Sequence, residues 1–185
     1  MPDGAPAARR SLWPISAVVC NFDGEGYIAG CLDSLLAQDE PLDEIIVVDN
    51  GSADGSVDVV RKLYKGVKLL LLPVNGGPCV ARNAGMRAAR NRFVLAVDND
   101  ALLAPDFARR ARAALEEHPE ASLAQGRSMF ASDPARVHYD GAWFHYAGLF
   151  SCATSAVRWP RPRGTGRSPS TARSPSLTCS TATSC

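Results

Sequence analysis

Short apolar runs alternate with segments of helical periodicity over most of the chain. Apart from Lys68, the runs carry no charge. Continuous apolar runs of this length are typical of strands that are buried on both faces of a parallel sheet. They predict four such strands, at residues 15–20, 45–48, 67–72 and 93–97.

The segments between the runs predict helices. Ser52 or Asp54 can cap a second helix, and Pro78 and Pro105 suit the first turns of a third and a fourth. The first helix is indicated by apolar residues spaced along one helix face, namely Ile28, Cys31, Leu32, Leu35 and Leu36. The alternation of strands and helices predicts an α/β layer fold with right-handed crossovers and a ligand site at the carboxyl ends of the strands.

The pattern changes toward the C-terminus. Residues 121–126 predict a fifth strand, whereas residues 158–185 consist mainly of Arg, Pro, Ser, Thr and Gly. Such a composition cannot bury enough surface to offset the entropy of ordering, so this segment is predicted to be a disordered tail. Residues 1–13 lack the apolar stretch of a secretory signal and are interpreted as a flexible leader. One globular domain is therefore expected over residues 14–157.

Composition narrows the functional classes. The 185 residues hold 20 basic and 19 acidic side chains, and a net charge of +1 gives no field that favours nucleic acid. The average hides five Arg and no acid in residues 158–185, against 15 basic and 19 acidic groups before them. No apolar run approaches the roughly 20 residues of a membrane-spanning helix, so a soluble protein is expected, with peripheral membrane association left open. The six cysteines lack zinc-ligand spacing and are expected to be thiols in a reducing cytoplasm.

The strongest local signal is Asp98-Asn99-Asp100, directly after the fourth apolar run. If the backbone stays extended there, the two carboxylates point the same way. They would repel each other without a cation, and Mg²⁺ commonly binds one or two carboxylates together with phosphate oxygens and water. The alternative is a solvated turn with an Asp as a helix cap. The position at the edge of an α/β sheet favours the metal-binding interpretation.

Two further loops follow strands at the same predicted edge. Asp49-Asn50-Gly51-Ser52 places an acid where it can accept hydrogen bonds from a base or a ribose, although ordinary turn chemistry explains the segment equally well. Residues 75–85 supply glycines, the start of a helix and Arg82, a combination that suits a diphosphate. The alternative for this segment is a glycine turn with a solvated Arg.

A competing motif lies at residues 24–29, Gly-Glu-Gly-Tyr-Ile-Ala, which matches the dinucleotide-binding pattern G-x-G-x-x-G/A. Asp49 lies roughly where such a fold keeps its ribose-binding acid, ~20 residues further on. However, three residues separate the first strand from Gly24, and Asp23 and Glu25 would place negative charge beside a pyrophosphate. An NAD-binding oxidoreductase domain is therefore the minority hypothesis.

Taken together, residues 15–23, 45–56, 75–85 and 94–107 resemble the nucleotide-binding half of family 2 glycosyltransferases, which are inverting enzymes of the GT-A fold. The joint order of these segments is more specific than any one of them. The resemblance implies a GT-A-like, mostly parallel sheet flanked by helices. Asn99 and the Asp49-Asn50-Gly51-Ser52 variant are most similar to the rhamnosyltransferase-like branch of the family.

The resemblance also implies a donor site and a mechanism. Asp49 would contact the nucleobase, and Arg82 and Asn83 would lie near the diphosphate of a nucleoside-diphosphate sugar. The mechanism implied is a single in-line displacement at the anomeric carbon, assisted by Mg²⁺ or Mn²⁺, with a carboxylate that deprotonates an acceptor hydroxyl. The setting implied is cell-wall or polysaccharide synthesis, with a glycan or lipid-linked acceptor that stays unknown. The expected donor-binding residues are Asn21, Asp49, Asn50, Arg82, Asn83 and Asp98, and the expected metal ligands are Asp98 and Asp100.

The chain departs from the family pattern after Asp106. The family draws its catalytic base from an acidic motif in the acceptor-binding half, and no such motif is present, so the base is unknown and that half is expected to be largely missing. The hypothesis for this is a reading frame lost near Val157; the alternative is a genuine Arg-rich tail that binds an acidic partner. The expected function is a family 2 glycosyltransferase impaired by truncation, and the second candidate is a non-catalytic nucleotide-sugar-binding remnant. The later acids are Glu116, Glu117, Glu120, Asp133 and Asp140.

Overall fold

A computed structural model describes residues 14–139, 142–144, 150–152 and 177–181. The predicted alternation of strands and helices is present as far as β4, after which a short strand precedes the fourth helix. The elements are β1 (Ile15–Asn21), α1 (Ile28–Leu36), β2 (Glu44–Asp49), α2 (Ser56–Leu63), β3 (Lys68–Leu71), α3 (Pro78–Ala88), β4 (Phe93–Asp98), β5 (Ala101–Leu103), α4 (Phe107–Glu117), β6 (Gly126–Phe130), β7 (Asp133–Tyr139), β8 (Ala142–Phe144), β9 (Phe150–Cys152) and β10 (Leu177–Thr181).

The first four strands form one parallel sheet in the order β3-β2-β1-β4. This confirms the predicted α/β class with a parallel sheet flanked by helices. The prediction that all four strands are buried on both faces is wrong for two of them. β1 and β2 lie in the centre and are almost wholly buried, whereas β3 and β4 lie at the edges and are half exposed, because each has a neighbour on one side only.

Two hydrophobic clusters cover the two faces of this sheet. On one face, α1 and α4 pack against alternate residues of the central strands, with Ile28 and Phe107 among the buried side chains. On the other face, α3 packs through Ala81 against Val18 and Val48. The first helix buries its predicted face except for Leu36, which is 58% exposed. The helices thus hold the carboxyl ends of the strands in fixed positions.

A second sheet has the order β5-β10-β6-β7, and β8 pairs with β9. The fifth strand predicted at residues 121–126 is wrong in position, because the strand is Gly126–Phe130. Leu177–Thr181 lie in the segment predicted to be a disordered tail and form β10, and disorder of the tail as a whole stays a prediction. They form backbone hydrogen bonds in parallel with β6 and antiparallel to β5, and such bonds require no large apolar side chain. The other tail residues and the leader lie outside the described residues.

At the amino end of β2, a buried carboxylate connects three segments. Glu44, with 5% of its side chain exposed, accepts hydrogen bonds from the Ser16 hydroxyl at 2.7 Å and from the backbone and side chain of Arg90 at 3.0 and 2.9 Å. Burial by itself raises the pKa of the Glu44 carboxyl, but the hydrogen bonds from Arg90 and Ser16 outweigh burial and leave the pKa below its ordinary value.

Among the described residues, no helix is long and apolar enough to span a membrane.

Candidate functional site

The ends of β1, β2 and β4 and the start of α3 enclose a cleft of about 310 Å³ at the carboxyl edge of the parallel sheet. These strands are parallel neighbours, so the residues that follow them meet at one edge. The cleft lies where the sequence predicts a ligand site. Its polar lining consists of Asn21, Asn50, Asn75, Asp98, Asn99 and Asp100.

Both predicted metal ligands line this cleft, although not by the predicted geometry. β4 ends at Asp98, and Asn99 and Asp100 form a turn, so the expectation of an extended backbone through Asp100 is wrong. The chain has to turn here because β5 belongs to the second sheet. Burial, and to a smaller extent the charge of Asp98, raise the pKa of the Asp100 carboxyl above its ordinary value, against the opposing effect of a backbone hydrogen bond. A positive charge that enters the cleft would therefore stabilise the ionised form of Asp100.

Asp98 is paired with an arginine from α3. Nη2 of Arg82 donates to Oδ1 of Asp98 at 2.5 Å, and the two side chains are 37% and 58% exposed. This hydrogen bond raises the pKa of the Arg82 guanidinium above its ordinary value, more than burial lowers it. Arg82 thus contacts a residue of the cleft, although it is not itself part of the described cleft lining, and its place near a diphosphate stays a prediction. Asn83, one residue further along the helix, is exposed and is not part of the cleft lining.

Asn21 at the end of β1 connects the loops that surround the cleft. Its side chain is 2% exposed, and its Nδ2 donates to Oδ1 of Asp49 at 2.9 Å and to the hydroxyl of Ser56 at 2.9 Å. Its Oδ1 accepts a hydrogen bond from Nδ2 of Asn99 at 2.9 Å. The amide therefore fixes the ends of β1, β2 and β4 relative to one another.

Asp49 is buried beneath the cleft rather than exposed in it. Only 3% of the residue is accessible. Its Oδ1 accepts hydrogen bonds from Asn21 and, at 2.5 Å, from the Ser52 hydroxyl, and its Oδ2 accepts from the Ser52 N–H at 3.0 Å. The contact of Asp49 with a nucleobase stays a prediction, and the structure shows an internal role in shaping the turn after β2.

Asn50 holds the glycine loop that precedes α3. Its Nδ2 donates to Oδ1 of Asn75 at 2.8 Å and to the carbonyl of Gly77 at 3.2 Å, and its Oδ1 accepts from the Gly76 N–H at 3.1 Å. Gly77 has φ +85°, a left-handed conformation that glycine adopts without strain. The loop thus presents the N-terminus of α3 to the cleft in one defined conformation, which is a favourable environment for an anion.

The loop with the competing dinucleotide motif has a different role. The Glu25 N–H donates to Oδ2 of Asp54 at 2.8 Å, and the Gly55 N–H donates to Oε2 of Glu25 at 3.2 Å. The loop between β1 and α1 is therefore bound to the loop between β2 and α2. The Glu25 carboxylate takes part in this contact, so its negative charge stays in the loop. A Cβ added to Gly26 would have open space around it, so no close approach of another group requires a glycine at this position. The arrangement does not favour a pyrophosphate seat at this motif.

Six residues that line the cleft are not among the donor-binding residues and metal ligands predicted from the sequence. They are Cys20, Phe22, Asn75, Pro78, Ala81 and Asn99. Phe22 is a large apolar side chain that is 46% exposed, and its position directly after β1 is the signal that would have identified it. Asn99 could have been found as the residue between the two acids, although its bond to Asn21 depends on the turn that the sequence does not reveal.

The residues of the cleft fit a hard divalent cation whose coordination is completed by a ligand. Asp98 and Asp100 supply carboxylate oxygens, which such cations prefer. The described residues include no group of three His, Cys, Asp or Glu side chains that could hold a metal by themselves. A cation at Asp98 and Asp100 would therefore take further oxygens from a bound phosphate and from water, and it would relieve the unfavourable charge of Asp100.

A second cavity, of about 630 Å³, shares Asp98 and Asp100 with the cleft. It extends along β4 to β6 and β7, where Ser128, His138 and Tyr139 contribute polar groups. Of the described residues, Asp98 and Asp100 are the only carboxylates that line either space. The two carboxylates thus lie where two cavities meet.

Comparison with known proteins gives a consistent result. A family model described as Glycosyl transferase family 2 matches residues 16–176. Among relatives, the succinoglycan biosynthesis protein ExoO of Rhizobium meliloti (strain 1021) is 36% identical over 106 residues, which are 57% of this chain and 30% of that protein. TarS of Staphylococcus aureus (strain Mu50 / ATCC 700699), a poly(ribitol-phosphate) beta-N-acetylglucosaminyltransferase, is 35% identical over 56% of this chain and 19% of its own length. The chain thus spans well under half of these relatives.

Solved structures show the same fold. Residues 1–349 of S. aureus TarS in complex with UDP superpose with a TM-score of 0.58 at 29% identity, over 70% of this chain and 40% of that one. The mannosyltransferase PcManGT of Pyrobaculum calidifontis, in complex with GDP-Man and Mn²⁺, superposes with a TM-score of 0.52 at 27% identity, over 66% of this chain and 36% of that one. The fold around the cleft is therefore that of proteins solved with nucleotide ligands.

Proposed function

The chain belongs to glycosyl transferase family 2, and from that premise we propose that it binds a nucleoside-diphosphate sugar and transfers the sugar, with inversion, to an acceptor hydroxyl. The observation that carries the proposal is the position of Asp98 and Asp100 in one cleft beside an ordered glycine loop, with Arg82 paired to Asp98. Two acids, one arginine and a helix N-terminus match the charges of a diphosphate bound with a divalent cation.

The nucleoside is proposed to lie between Phe22 and the end of β2. The Phe22 ring is half exposed in the cleft, which is unfavourable for an apolar group unless a ligand covers it. A nucleobase stacked on such a ring gains roughly 1–3 kcal/mol. Asn75 also lines the cleft, and the Nδ2 of its amide offers a donor to polar edges of the ligand, whereas the Asn50 amide is occupied by the glycine loop.

The diphosphate is proposed to lie between α3 and the carboxylates. The N-terminus of α3 and the guanidinium of Arg82 supply the positive potential, and Asp98 and Asp100 would hold Mg²⁺ or Mn²⁺. A cation in this position would neutralise negative charge on the departing nucleoside diphosphate. Asn21 and Asn99 keep the turn with the two acids at a fixed distance from β1.

The acceptor is proposed to approach through the second cavity, because that cavity also reaches Asp98 and Asp100. An in-line displacement requires the attacking hydroxyl and the departing phosphate on opposite sides of the anomeric carbon. A site at the junction of two cavities provides this arrangement. The base that takes the proton from the acceptor is not assigned to a residue.

The relatives support a setting for the reaction. They include proteins named for succinoglycan biosynthesis and for glycosylation of poly(ribitol-phosphate), so we propose a role in the assembly of a polysaccharide or cell-wall polymer. The described cysteines Cys20, Cys31 and Cys79 form no disulfide, which supports the proposed cytoplasmic location. A deoxyhexose donor of the rhamnosyl type is the finer proposal for the sugar, and it rests on the resemblance of the Asp49-Asn50-Gly51-Ser52 turn.

Calorimetric titration tests the proposal. UDP, GDP and dTDP are titrated into the full chain with and without Mn²⁺, and NADH is titrated as the competing ligand. We expect one nucleoside diphosphate to bind in a Mn²⁺-dependent manner, and Asp100→Asn to weaken that binding at least tenfold, since even outer-shell changes cost about 10- to 100-fold in metal affinity. Binding of NADH that is indifferent to Asp100→Asn would reject the proposal. A transfer assay with the matching sugar nucleotide then separates an enzyme from a binding protein.

Replacement of Phe22 tests the position of the nucleobase. Phe22→Ala is expected to weaken nucleotide binding by about 5- to 100-fold, as the loss of one stacking contact predicts. Tyr27→Ala is the matched control, because Tyr27 is an aromatic residue of nearly equal exposure, 45%, that is not part of the cleft lining. Equal losses in both variants, or none in Phe22→Ala, would contradict the assignment.

A further inference from the structure

The ion pair between Arg82 and Asp98 connects the two components of the proposed ligand. Arg82 is on α3, next to the proposed diphosphate position, and Asp98 is one of the two proposed cation ligands. Nη2 of Arg82 lies 2.5 Å from Oδ1 of Asp98, so this carboxylate oxygen is already bound to a positive group. A divalent cation that approaches Asp98 therefore meets a competitor with the same sign of charge.

The competition has a definite electrostatic cost. A cation at Asp98 is repelled by the adjacent guanidinium, and a guanidinium that moves away from the cation loses its hydrogen bond unless another anion accepts it. A phosphate group accepts two parallel hydrogen bonds from an arginine and is a suitable replacement. The pair is partly exposed, at 37% and 58%, so both groups are accessible to ligands without unfolding.

We infer that Arg82 holds Asp98 in the nucleotide-free protein and releases it to a divalent cation when the guanidinium moves to the diphosphate, so that cation and nucleotide bind cooperatively. This inference rests on the proposed function, since it requires that a nucleoside diphosphate and a cation bind in the cleft. The inference adds cooperativity to the proposed function, because each ligand binds more tightly when the other is present.

The inference has a quantitative form. Separating Arg82 from Asp98 costs free energy. The cation meets this cost when it binds alone, and so does the nucleotide when it binds alone. When both bind, the pair is separated only once, so the cost arises once instead of twice. The free energy of the pair therefore appears as favourable coupling between the ligands, and the coupling is reciprocal. Partly exposed ion pairs contribute up to about 1 kcal/mol, which corresponds to a coupling of up to about fivefold from this source.

The test compares Arg82→Met with Arg87→Met. Both variants remove one positive charge from α3 and keep an unbranched apolar side chain, but Arg87 is exposed in the last turn of the helix, whereas Arg82 pairs with Asp98. Free Mn²⁺ is measured by electron paramagnetic resonance in titrations of each protein with and without a saturating concentration of UDP, or of the nucleoside diphosphate that binds best.

The change in Mn²⁺ affinity and the change in coupling between Mn²⁺ and nucleotide should agree. In Arg82→Met we expect Mn²⁺ to bind the nucleotide-free protein about two- to fivefold more tightly than in the wild type, and the coupling between Mn²⁺ and nucleotide to fall by a similar factor, because both changes report the same ion pair. Arg87→Met should change neither by more than about 1.5-fold, since its charge is farther from the cleft. Unchanged or weaker Mn²⁺ binding in nucleotide-free Arg82→Met would overturn the inference.

A second variant provides an independent test from the side of the nucleotide. Asp98→Asn frees Arg82, so we expect metal-free UDP to bind more tightly to Asp98→Asn than to the wild type, and this gain to disappear when Arg82→Met is also present. A gain that persists in the double variant would reflect only the lost negative charge and would contradict the inference. Failure of the proposed function looks different: no protein would then bind any nucleoside diphosphate, with or without Mn²⁺.

Discussion

At the scale of single residues, the shape of the cleft depends on amides as much as on carboxylates. Asn21 and Asn99 bind each other at 2.9 Å and connect β1 to the turn with the two acids. Gly24 lies directly against this pair, and a Cβ at that position would overlap both amides. Lack of room for a Cβ, and not the backbone conformation, requires a glycine at this point, since the φ of Gly24 does not lie in the left-handed region. Gly24 therefore serves the site although no nucleotide contact is proposed for it.

Replacement of Gly24 tests whether the Asn21–Asn99 pair positions the two acids of the cleft. Gly24→Ala forces the Asn21–Asn99 pair apart, and we expect a loss of about 1–3 kcal/mol in the free energy of unfolding together with weaker Mn²⁺-dependent nucleotide binding. The matched control is Gly26→Ala, since an added Cβ there meets nothing within 4 Å. Chemical denaturation and calorimetry give the two quantities. A stable Gly24→Ala protein with full affinity would show that the pair does not position the acids.

Glu44 predicts how stability depends on pH. Its pKa is lowered in the folded protein, because hydrogen bonds from Arg90 and Ser16 outweigh the effect of burial. A lowered pKa means that the stabilisation is fully present above the ordinary Glu value, 4.5, and is lost as the pH falls through the folded-state pKa. Glu44→Gln should lower the free energy of unfolding by about 1–3 kcal/mol at neutral pH, and the difference from the wild type should shrink below about pH 4.

Denaturation at a series of pH values checks this expectation. Glu117→Gln is the control, because Glu117 is exposed at the end of α4. Its free energy of unfolding should stay within about 0.5 kcal/mol of the wild type at every pH. A difference between Glu44→Gln and the wild type that is constant with pH would contradict the assigned role of the Glu44 charge.

At the scale of elements, the position of α3 determines whether its residues reach the cleft. Gly85 is buried on the face of α3 that contacts the sheet, and an added Cβ would overlap the side chains of Val18 and Val48. Gly85→Ala should push α3 away from the sheet at a cost of about 1–3 kcal/mol and lower nucleotide affinity, because Arg82 moves with the helix. Gly66→Ala, where an added Cβ has open space, should change neither quantity. Loss of stability with unchanged affinity would show that α3 repacks without moving the site.

Apolar periodicity is sufficient to predict the four strands of the parallel sheet and the helices between them, but not which strands are neighbours in that sheet. The runs that became β1 and β2 and the helix face from Ile28 to Leu35 were predicted correctly, because burial on a sheet imposes a pattern on the sequence. The edge positions of β3 and β4 depend on strand order, to which a local pattern is insensitive. The location of the cleft followed from the ends of parallel strands, whereas the turn at Asp98 and the Asn21–Asn99 bond depend on tertiary packing.

At the scale of the whole molecule, the two larger sheets differ in what holds them together. The parallel sheet is covered by a hydrophobic cluster on each face. The second sheet has β10 between β5 and β6, so a segment far along the chain completes its backbone hydrogen bonds. β10 also lies in the acid-free part of the sequence, whereas the carboxylates of the cleft belong to the acidic part. The cleft is built from the first sheet and its helices, so nucleotide binding in it should depend little on the second sheet.

Two C-terminal deletions test this independence. A chain that ends at residue 176 lacks β10, and a chain that ends at residue 181 keeps it and is the matched control. Without β10, both neighbouring strands lose a partner, so we expect amide hydrogens in Gly126–Phe130 to exchange at least about tenfold faster, while those in β1 and β2 keep their protection. Mn²⁺-dependent nucleotide binding should stay within about twofold of the full chain, since every described residue of the cleft lining belongs to the first sheet, to α3 or to the loops that follow the strands of that sheet. If both binding and the protection of β1 fall in the shorter chain alone, the two sheets form one cooperative unit, and the cleft depends on the C-terminal strand.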